Sequence, residues 1–439
     1  MRNGTISVGP AGKPRRDDGR EGSTSIGDSA PIRHGPLLAY GALGLPLAFA
    51  ALPVYVYVPK LYGDALGMNL ALVGAVLLVA RLGDAVIDPL LGWGSDRLGQ
   101  RRRLILLSTP FLALGMLGLL SPPADLVGAG WLAASLAVVY LAFSLGSLNY
   151  QAWGAEMSAL PHERTRIAAS REGFALVGVI AASVTPTLLG PDLQTGLGRL
   201  ALLFLPLLAL MVAITLLGAP SEAGVRRTTS GVVPSLRATL DNRRFRWLLA
   251  VFAANGIAAS IPATLVLFFV ADVLRLDGYS GSFLAVYFVS AVAALPLWVV
   301  LARRYGKAWS WLLSMALAIA VFVWAFFIGA GDLIAFVIIC ALSGAALGAD
   351  LALPPSMLAD VIDSDCRGAG DAKSGAYFGL WNLVTKLSLA LAAGISLPLL
   401  DWLGYRPGAT DGLVALSAVY ALLPVVLKLG AMCLLYRLL

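Results

Sequence analysis

Three charged side chains interrupt an otherwise apolar stretch of the sequence, in the segment RLGDAVIDP at residues 81–89. Arg81, Asp84 and Asp88 are spaced so that a helix would place all three on one face. Two carboxylates one turn apart in a medium of low dielectric do not both stay ionised unless a cation compensates their charge. The spacing therefore predicts a site for a proton or a small cation.

Pro89 adds a different kind of ligand to this segment. Proline lacks the N–H that would bond to the carbonyl four residues earlier, so the carbonyl oxygen of Ala85 is released. A free carbonyl in a membrane must line a cavity or find another partner, and beside two carboxylates it is a further cation ligand. The alternative is that Arg81 and the aspartates form a buried salt bridge between helices.

Other ionisable residues also lie in apolar stretches, where an ionised group at a helix centre costs on the order of 2.5–3.5 kcal/mol. Arg171 lies about one turn inside its stretch and either faces a solute pathway or extends to the surface. Asp350 and Lys386 are predicted at similar depths on neighbouring helices. They either form an ion pair or bind and gate a substrate. Lys428, near the end of the last stretch, is expected to be structural.

Aromatic rings and amides could complete a solute pocket around these charges. Sugars stack their apolar faces on rings and form hydrogen bonds with amides. The alternative for each residue is packing within the core. The candidates are Tyr57, Trp153, Asn255, Tyr287, Trp298, Trp381 and Asn382.

The composition places these charges in a membrane. Of the 439 residues, 59% are hydrophobic and 13% are charged, whereas soluble domains are about 45–50% apolar and about 25% charged. Twelve stretches reach the roughly 20 apolar residues that cross a bilayer, and none alternates polar with apolar residues as barrel strands do. We therefore predict an all-α membrane protein with 12 transmembrane helices.

The predicted helices divide into two groups of six. Residues 220–246 are the longest internal polar segment and are interpreted as a cytoplasmic linker between bundles at 38–219 and 247–439. The loop SDRLGQRRR after the second helix is matched by ARRYGK after the eighth. Residues 1–37, rich in Gly, Ser, Pro and charge, are predicted to form a disordered cytoplasmic tail. Two parallel six-helix halves are typical of alternating-access transporters.

The basic residues predict the orientation. Most of the 32 lysines and arginines fall in the tail, the linker and every second loop, which indicates that both termini are cytoplasmic. The net charge of +7 then follows from topology, and no nucleic-acid partner is expected. With 3 cysteines and 2 histidines and no metal-ligand spacing, we expect no cofactor, no metal beyond a Na+ at Asp84 and Asp88, and no enzyme activity.

Opposite charges are predicted at the cytoplasmic ends of helices from both halves. Such charges can pair when the cytoplasmic side is closed and separate when it opens. Acidic residues contribute little to orientation, so their presence favours a cytoplasmic gate. The candidates are Asp96, Arg97, Arg101, Glu156, Asp360 and Asp363.

Several longer motifs follow one another along the chain. They are RLGDAVIDPLLGWGSDR, SLNYQAWGAEMSALPHERTRIAASREGFALVGV, NGIAASIPATLVLFFVADVL and LADVIDSDCRGAGDAKSGAYFGLWNLVTKLSLALAAG. In these motifs the sequence resembles the glycoside-pentoside-hexuronide:cation symporters, the melibiose permease group of the major facilitator superfamily. The resemblance covers the first eleven helices and implies the major facilitator fold with cation-coupled transport.

The resemblance also implies roles for individual residues. Asp84 and Asp88 fall on the family's cation-binding aspartates. The spacing and Pro89, rather than the resemblance, make Arg81 and Ala85 their expected support. Asn149 stands where the melibiose permease group has a further carboxylate. An amide oxygen can ligate sodium but carries no charge, so the resemblance favours protons slightly over sodium.

For the solute, the resemblance is less complete. Arg171 and Lys386 match residues that face the family's sugar pathway, and Trp153 matches a tryptophan of the family and is a further candidate solute ligand. Leu47 and Ala48, however, stand where the melibiose permease group has a lysine and its sugar-binding aspartate. Galactoside chemistry therefore does not transfer directly.

We accordingly expect a monomeric symporter in a bacterial-type inner (plasma) membrane, coupled to H+ or Na+ and carrying a sugar, glycoside or sugar acid. Its partners are the lipid bilayer and a small solute. One alternative is a lipid or lysolipid carrier of the same fold. Another is a non-transporting sensor, which the short tail and linker disfavour.

Overall fold

The structure is a computed structural model that describes residues 33–158, 161–220, 239–366 and 374–437. Within these ranges, 12 helices are long and apolar enough to cross a membrane, and no strand occurs. The predicted all-α fold is confirmed. In chain order the helices are α1 His34–Ala65, α2 Leu70–Leu98, α3 Arg101–Leu120, α4 Ala129–Glu156, α5 Pro161–Leu189, α6 Leu193–Gly218, α7 Arg243–Val273, α8 Ser280–Tyr305, α9 Lys307–Ala325, α10 Leu333–Cys366, α11 Ser374–Trp402 and α12 Leu413–Tyr436.

The element boundaries differ from the prediction by a few residues. The first bundle begins at His34 rather than at residue 38, and α7 begins at Arg243, inside the predicted linker. Most of the predicted tail and linker lies outside the described residues.

The first helices of the two halves end in the same way. A π-helical turn closes α1 at Leu61–Ala65 and α7 at Phe269–Val273. In each, the N–H that follows the turn bonds to the carbonyl five residues earlier. Each is followed by a left-handed residue at the equivalent position, Gly67 with φ 69° and Arg275 with φ 58°. The two halves therefore share a local backbone geometry at these helix ends, although most residues differ between the two segments.

A glycine with positive φ follows the second helix of each half. Gly99 with φ 60° follows α2, and Gly306 with φ 90° follows α8. Their N–H groups bond to the carbonyls of Ser95 and Ala302. Both glycines belong to the matched loops SDRLGQRRR and ARRYGK, so the short sequence repeat has a structural counterpart.

Close packing of α2 against α11 joins the two halves. A Cβ atom added to Gly74 would lie 2.9 Å from the Cδ of Pro398 and 3.0 Å from the carbonyl oxygen of Ala393. One added to Gly394 would lie 2.8 Å from a methyl group of Leu78. Only glycine fits these positions without displacing a neighbour.

Because the described chain has 12 membrane-crossing helices, the start of α1 and the end of α12 lie on one side of the bundle, which we call the termini side. The opposite side is the far side. On the far side, Lys60 Nζ lies 2.6 Å from Asp277 Oδ1, and Asn69 Nδ2 donates a 2.9 Å hydrogen bond to Asp401 Oδ1. Both contacts connect the N-terminal half to the C-terminal half. The halves are therefore tied together on the far side.

A third far-side contact lies within the C-terminal half. The Tyr405 hydroxyl donates a hydrogen bond to Asp272 Oδ2, which also accepts a 3.1 Å bond from the Gly408 N–H. Tyr405 is buried. Burial, followed by its bond to the Asp272 carboxylate, raises the pKa of the Tyr405 phenol well above its usual range.

Candidate functional site

Lys386 lies between the two aspartates that the sequence singled out. Its Nζ is 2.9 Å from Asp84 Oδ2 and forms a shorter contact with Asp88 Oδ2. The lysine comes from α11 of the C-terminal half and the aspartates from α2 of the N-terminal half. The compensating cation that paired carboxylates require is therefore a lysine of the opposite half. The predicted alternative of a pair between Lys386 and Asp350 is wrong.

Ser144 on α4 completes this cluster. Its Oγ donates a 2.8 Å hydrogen bond to Asp84 Oδ1 and accepts a 3.0 Å bond from Lys386 Nζ. Sequence reasoning missed this residue, since a serine in an apolar helix is common and carries no charge. We call Arg81, Asp84, Asp88, Ser144 and Lys386 the interhalf cluster.

The remaining predicted members of the site are nearby. Arg81 Nη1 is 3.8 Å from Asp84 Oδ2, and its guanidinium lies 4.2 Å from the centre of the Tyr140 ring. Ala85 is buried, and α2 continues through position 89 without a break. The side chain of Pro89 lies outside the described part of the chain. Arg81 and Lys386 together balance the charges of the two aspartates.

One carboxylate oxygen of the interhalf cluster is left without a partner. Asp88 Oδ1 is buried and accepts no hydrogen bond from the described residues. An unsatisfied buried acceptor costs roughly 1–3 kcal/mol, more if it is charged. Asp88 Oδ1 is therefore an acceptor of the interhalf cluster that the described residues leave unsatisfied.

Asn149 does not contribute to the interhalf cluster. Its Oδ1 accepts a short bond from Ser95 and a 3.5 Å bond from Arg101 Nη1, while its Nδ2 donates to the Leu145 carbonyl at 2.7 Å. Five residues separate it from Ser144, which turns it roughly 140° around the helix. The prediction that Asn149 ligates the cation beside Asp84 and Asp88 is therefore not supported by its contacts.

The model of the MFS/sugar transport protein family matches residues 38–439. The chain belongs to this family. It is a multi-pass membrane transporter of the major facilitator superfamily, as the resemblance implied.

Two known proteins are similar to this chain over most of its length. An uncharacterized symporter of Synechocystis sp. is 22% identical, over 88% of this chain and 89% of its own length. The sphingosine-1-phosphate transporter MFSD2B of Mus musculus is 23% identical, over 91% of this chain and 87% of its own length.

A solved structure has the same fold. A point mutant of the nucleoside transporter NupG superposes with a TM-score of 0.70 over 91% of this chain and 98% of its own, at 16% identity. The relatives and the fold are those of transporters rather than enzymes.

A second charged cluster of this transporter lies within the C-terminal half. Asp350 Oδ1 accepts hydrogen bonds from Asn255 Nδ2 at 3.0 Å and from Trp311 Nε1 at 2.7 Å. Lys428 Nζ donates to Asn255 Oδ1 at 2.7 Å and lies 3.6 Å from Asp350 Oδ2. Lys428, which was expected to be structural, is therefore the lysine that pairs with Asp350 among the described residues.

Three predicted solute ligands are instead engaged within the N-terminal half. Trp153 is fully buried and donates a 3.2 Å bond to the Pro220 carbonyl. Tyr57 is buried and donates a 2.6 Å bond to the carbonyl of Ser183. Arg171 pairs with the adjacent Glu172 at 2.7 Å. The contacts of Trp153 and Tyr57 favour a role in core packing over solute binding. Arg171 forms a partly exposed ion pair.

Two further candidates lie on α11. Trp381 is buried and stacks on Phe252 with ring centres 3.7 Å apart. Asn382, the next residue, is exposed. The predicted solute ligands thus do not converge on one pocket.

Within the described residues, the gate candidates form ion pairs inside each half. Arg101 Nη2 is 3.1 Å from Glu156 Oε1 in the N-terminal half. Asp360 Oδ2 is 2.6 Å from Lys307 Nζ in the C-terminal half. The side chains of Asp96, Arg97 and Asp363 lie outside the described residues. These two pairs do not cross between the halves, whereas the far-side contacts of Lys60 and Asn69 do.

Proposed function

We propose that this transporter is a cation-coupled symporter of a small organic solute, working by alternating access. The observation that carries the proposal is the position of Lys386, a residue of the C-terminal half, between Asp84 and Asp88 of the N-terminal half. A cation that binds the aspartates competes with this lysine, so cation binding acts directly on a bond between the two halves.

The charge balance of the interhalf cluster explains the coupling. In this conformation two basic and two acidic side chains cancel, and Asp88 Oδ1 accepts no hydrogen bond from the described part of the chain. A proton or a Na+ at Asp88 weakens the attraction for Lys386, and the released lysine lets α2 and α11 separate. The solute must supply the remaining free energy, and a coupling free energy of about 1–3 kcal/mol is sufficient.

For the solute, we propose a sugar, glycoside or sugar acid. The description of the family as MFS/sugar transport proteins supports this class. The protein would work as a monomer in a bacterial inner membrane, without a cofactor or a nucleic-acid partner. The distribution of its basic residues supports a cytoplasmic termini side.

A second candidate is an amphipathic or lipid-like solute. A cavity between α1 and the C-terminal half is lined mostly by apolar and aromatic side chains, including Phe283, Phe322 and Tyr420. Such walls offer a sugar few hydrogen bonds and offer an acyl chain or ring a large contact area. The sphingosine-1-phosphate transporter among the relatives supports the same candidate.

The test is uptake into proteoliposomes with proton and sodium gradients imposed separately. The solutes are a panel of sugars, uronates, small organic acids and a lysolipid. Under the gradient that drives the parent, Asp84→Asn and Asp88→Asn are expected to lose concentrative uptake while retaining exchange. Asp125→Asn, at an exposed loop position, is the matched control. Gradient-driven uptake by both variants at the parental rate would falsify the coupling role.

A further inference from the structure

The Asp350 and Lys428 side chains lie together at one end of the apolar cavity. On α10 and α12 they are the cavity-lining residues nearest to the termini side. The opposite part of the wall carries aromatic rings, among them Tyr55, Tyr287 and Phe322. The cavity thus has a long apolar part and a single charged end.

The two charged groups differ in how well their hydrogen-bonding capacity is filled. Asp350 Oδ1 accepts from two neutral donors, Asn255 and Trp311. Lys428 has three N–H donors, and among the described residues its hydrogen-bond acceptor is Asn255. The 3.6 Å separation between Lys428 Nζ and Asp350 Oδ2 is too long for a hydrogen bond.

This arrangement is unusual for a buried lysine. The Lys428 side chain is 4% exposed, and a buried ammonium is normally paired and fully hydrogen-bonded. Two of its donors have no close acceptor in the described chain, although the group lines a cavity. Its unfilled donors are suited to an acceptor that enters the cavity.

Resting on the symport function proposed above, we propose that this cavity binds an organic anion with an apolar or aromatic body. The carboxylate or other acid group binds Lys428 Nζ, and the body lies against the rings. Asp350 keeps its neutral donors when Lys428 turns to the anion. A cationic solute at Asp350 would instead leave two positive charges side by side in a buried site.

The charge balance also links the solute to the coupling ion. The Asp350 and Lys428 charges cancel before binding, so an anion adds one negative charge to the membrane interior. Transfer of that charge is costly unless a cation accompanies it. With an anionic solute at Lys428 and one proton or one Na+ at the interhalf cluster, the charges of the two sites and their ligands again sum to zero.

The experiment is equilibrium binding to the purified full-length transporter in lipid nanodiscs with radiolabelled 4-phenylbutyrate. Unlabelled 4-phenylbutyrate, 4-phenylbutanol and 4-phenylbutylamine, which share one aromatic body, are the competitors. We expect saturable binding for which the acid competes well, the alcohol weakly and the amine not at all. Better competition by the amine than by the acid, or no saturable binding of the acid, would overturn the proposal.

Variants then locate the site. Lys428→Met is expected to weaken binding of the acid at least about tenfold, which corresponds to about 1.4 kcal/mol. Lys428→Arg keeps the charge and is expected to retain the preference for the acid over the amine. Arg437→Met removes an exposed positive charge directly after the end of the same helix and is expected to change nothing. Equal binding by Lys428→Met and the parent would contradict the proposal.

A substitution in the cavity wall provides a second test in case Lys428→Met does not fold. Ala346 is buried and lines the cavity, so Ala346→Leu reduces the space without touching a charge and is expected to abolish binding. Thermal unfolding of each variant shows whether it is folded. Retained binding in a folded Ala346→Leu variant would place the acid elsewhere and contradict the proposal.

The failure of this inference can be told apart from failure of the proposed function. Asp84→Asn and Asp88→Asn are expected to keep the preference for the acid in equilibrium binding while losing gradient-driven uptake. If Lys428→Met binds normally while the aspartate variants lose coupling, only the anion site is wrong. If the aspartate variants remain coupled while Lys428→Met loses binding, only the coupling proposal is wrong.

Discussion

Lys386 Nζ lies 2.9 Å from Asp84 Oδ2, and this ion pair joins α11 of one half to α2 of the other at the level of the predicted cation site. It is partly buried, with side-chain exposures of 20% for Lys386 and 3% for Asp84. A pair of this kind combines a stability role with a switching role, since loss of one partner leaves an uncompensated charge.

Removing Lys386 should destabilise the folded transporter. Lys386→Met leaves two carboxylates against the single charge of Arg81, and breaking a buried pair in this way typically costs about 3–5 kcal/mol. Because the lysine is partly exposed, we expect the lower end of that range. Thermal unfolding of the purified variant in detergent measures the loss.

The control for this prediction restores the charge balance. Lys386→Met combined with Asp88→Asn again has equal numbers of acidic and basic groups in the interhalf cluster. We expect the double variant to recover most of the lost stability. A double variant less stable than Lys386→Met alone would show that the pair does not act through charge.

A larger residue at Gly74 should push the halves apart on the far side. The Cβ of Gly74→Val would lie 2.9 Å from Pro398, so α2 and α11 cannot keep their present separation. We expect faster labelling of a cysteine at Asn69→Cys by a membrane-impermeant maleimide. Gly83→Val on the same helix, where an added Cβ has no neighbour within 4 Å, should not change the labelling rate.

A covalent link across the far side should stop transport. Asn69 and Asp401 form a hydrogen bond between the halves, so Asn69→Cys and Asp401→Cys can be joined by a short thiol-reactive linker. The native cysteines at 340, 366 and 433 are first replaced by serine. We expect the linked protein to lose uptake, while each single variant treated with the linker keeps it. Full uptake by the linked protein would mean that these helices do not separate during transport.

Tyr405 should make stability depend on pH in the alkaline range. Burial and the bond to Asp272 raise the pKa of Tyr405, so the folded state disfavours the phenolate. The contribution is complete below about pH 10, the unfolded pKa, and is lost as the pH rises further because the unfolded chain releases the proton first. Tyr405→Phe should flatten this decline.

The same substitution should lower stability at neutral pH by about 1.5–3 kcal/mol, the range for a hydrogen bond to a charged group. Thermal unfolding between pH 7 and pH 11 measures both effects. Tyr279→Phe, at an exposed tyrosine, is the matched control. An unchanged alkaline decline in Tyr405→Phe would contradict the assignment.

Arg275 should be replaceable by glycine with a gain in stability. A left-handed conformation costs an ordinary residue roughly 1–2 kcal/mol, and the equivalent position of the first half is Gly67. We expect Arg275→Gly to raise the unfolding temperature slightly and Gly67→Ala to lower it. Lower stability of Arg275→Gly would indicate that the arginine side chain compensates the backbone strain.

Sequence reasoning was most successful where a single physical constraint dominates. The bilayer requires about 20 apolar residues per helix, so the number of helices could be counted from composition. The shared face of Asp84 and Asp88 followed from helical spacing alone. The lysine between them could not be derived in this way, since spacing along one helix carries no information about the residue that a distant helix presents.

Asp350 illustrates the same limit. The predicted depths of Asp350 and Lys386 in the membrane are similar, so the sequence suggested that the two residues pair. In the structure Lys386 instead contacts Asp84 and Asp88, and Asp350 lies near Lys428. The sequence around Lys428 gave no reason to predict a functional role, because a single lysine close to a helix end is most simply explained as structural. Asn149 was assigned through a resemblance in position, and its rotation around α4 relative to Ser144 became apparent only in three dimensions.

The matched helix ends at Gly67 and Arg275 have a consequence for how this protein could diversify. A framework repeated twice allows each half to specialise. In the proposed mechanism the first half supplies the aspartates for the driving ion, and the solute cavity is built mainly from the second half with part of α1. Substitutions around Lys428 would then change what is carried and leave the energy source as it is. Related carriers could in this way differ in the solute that they transport while sharing the same driving ion.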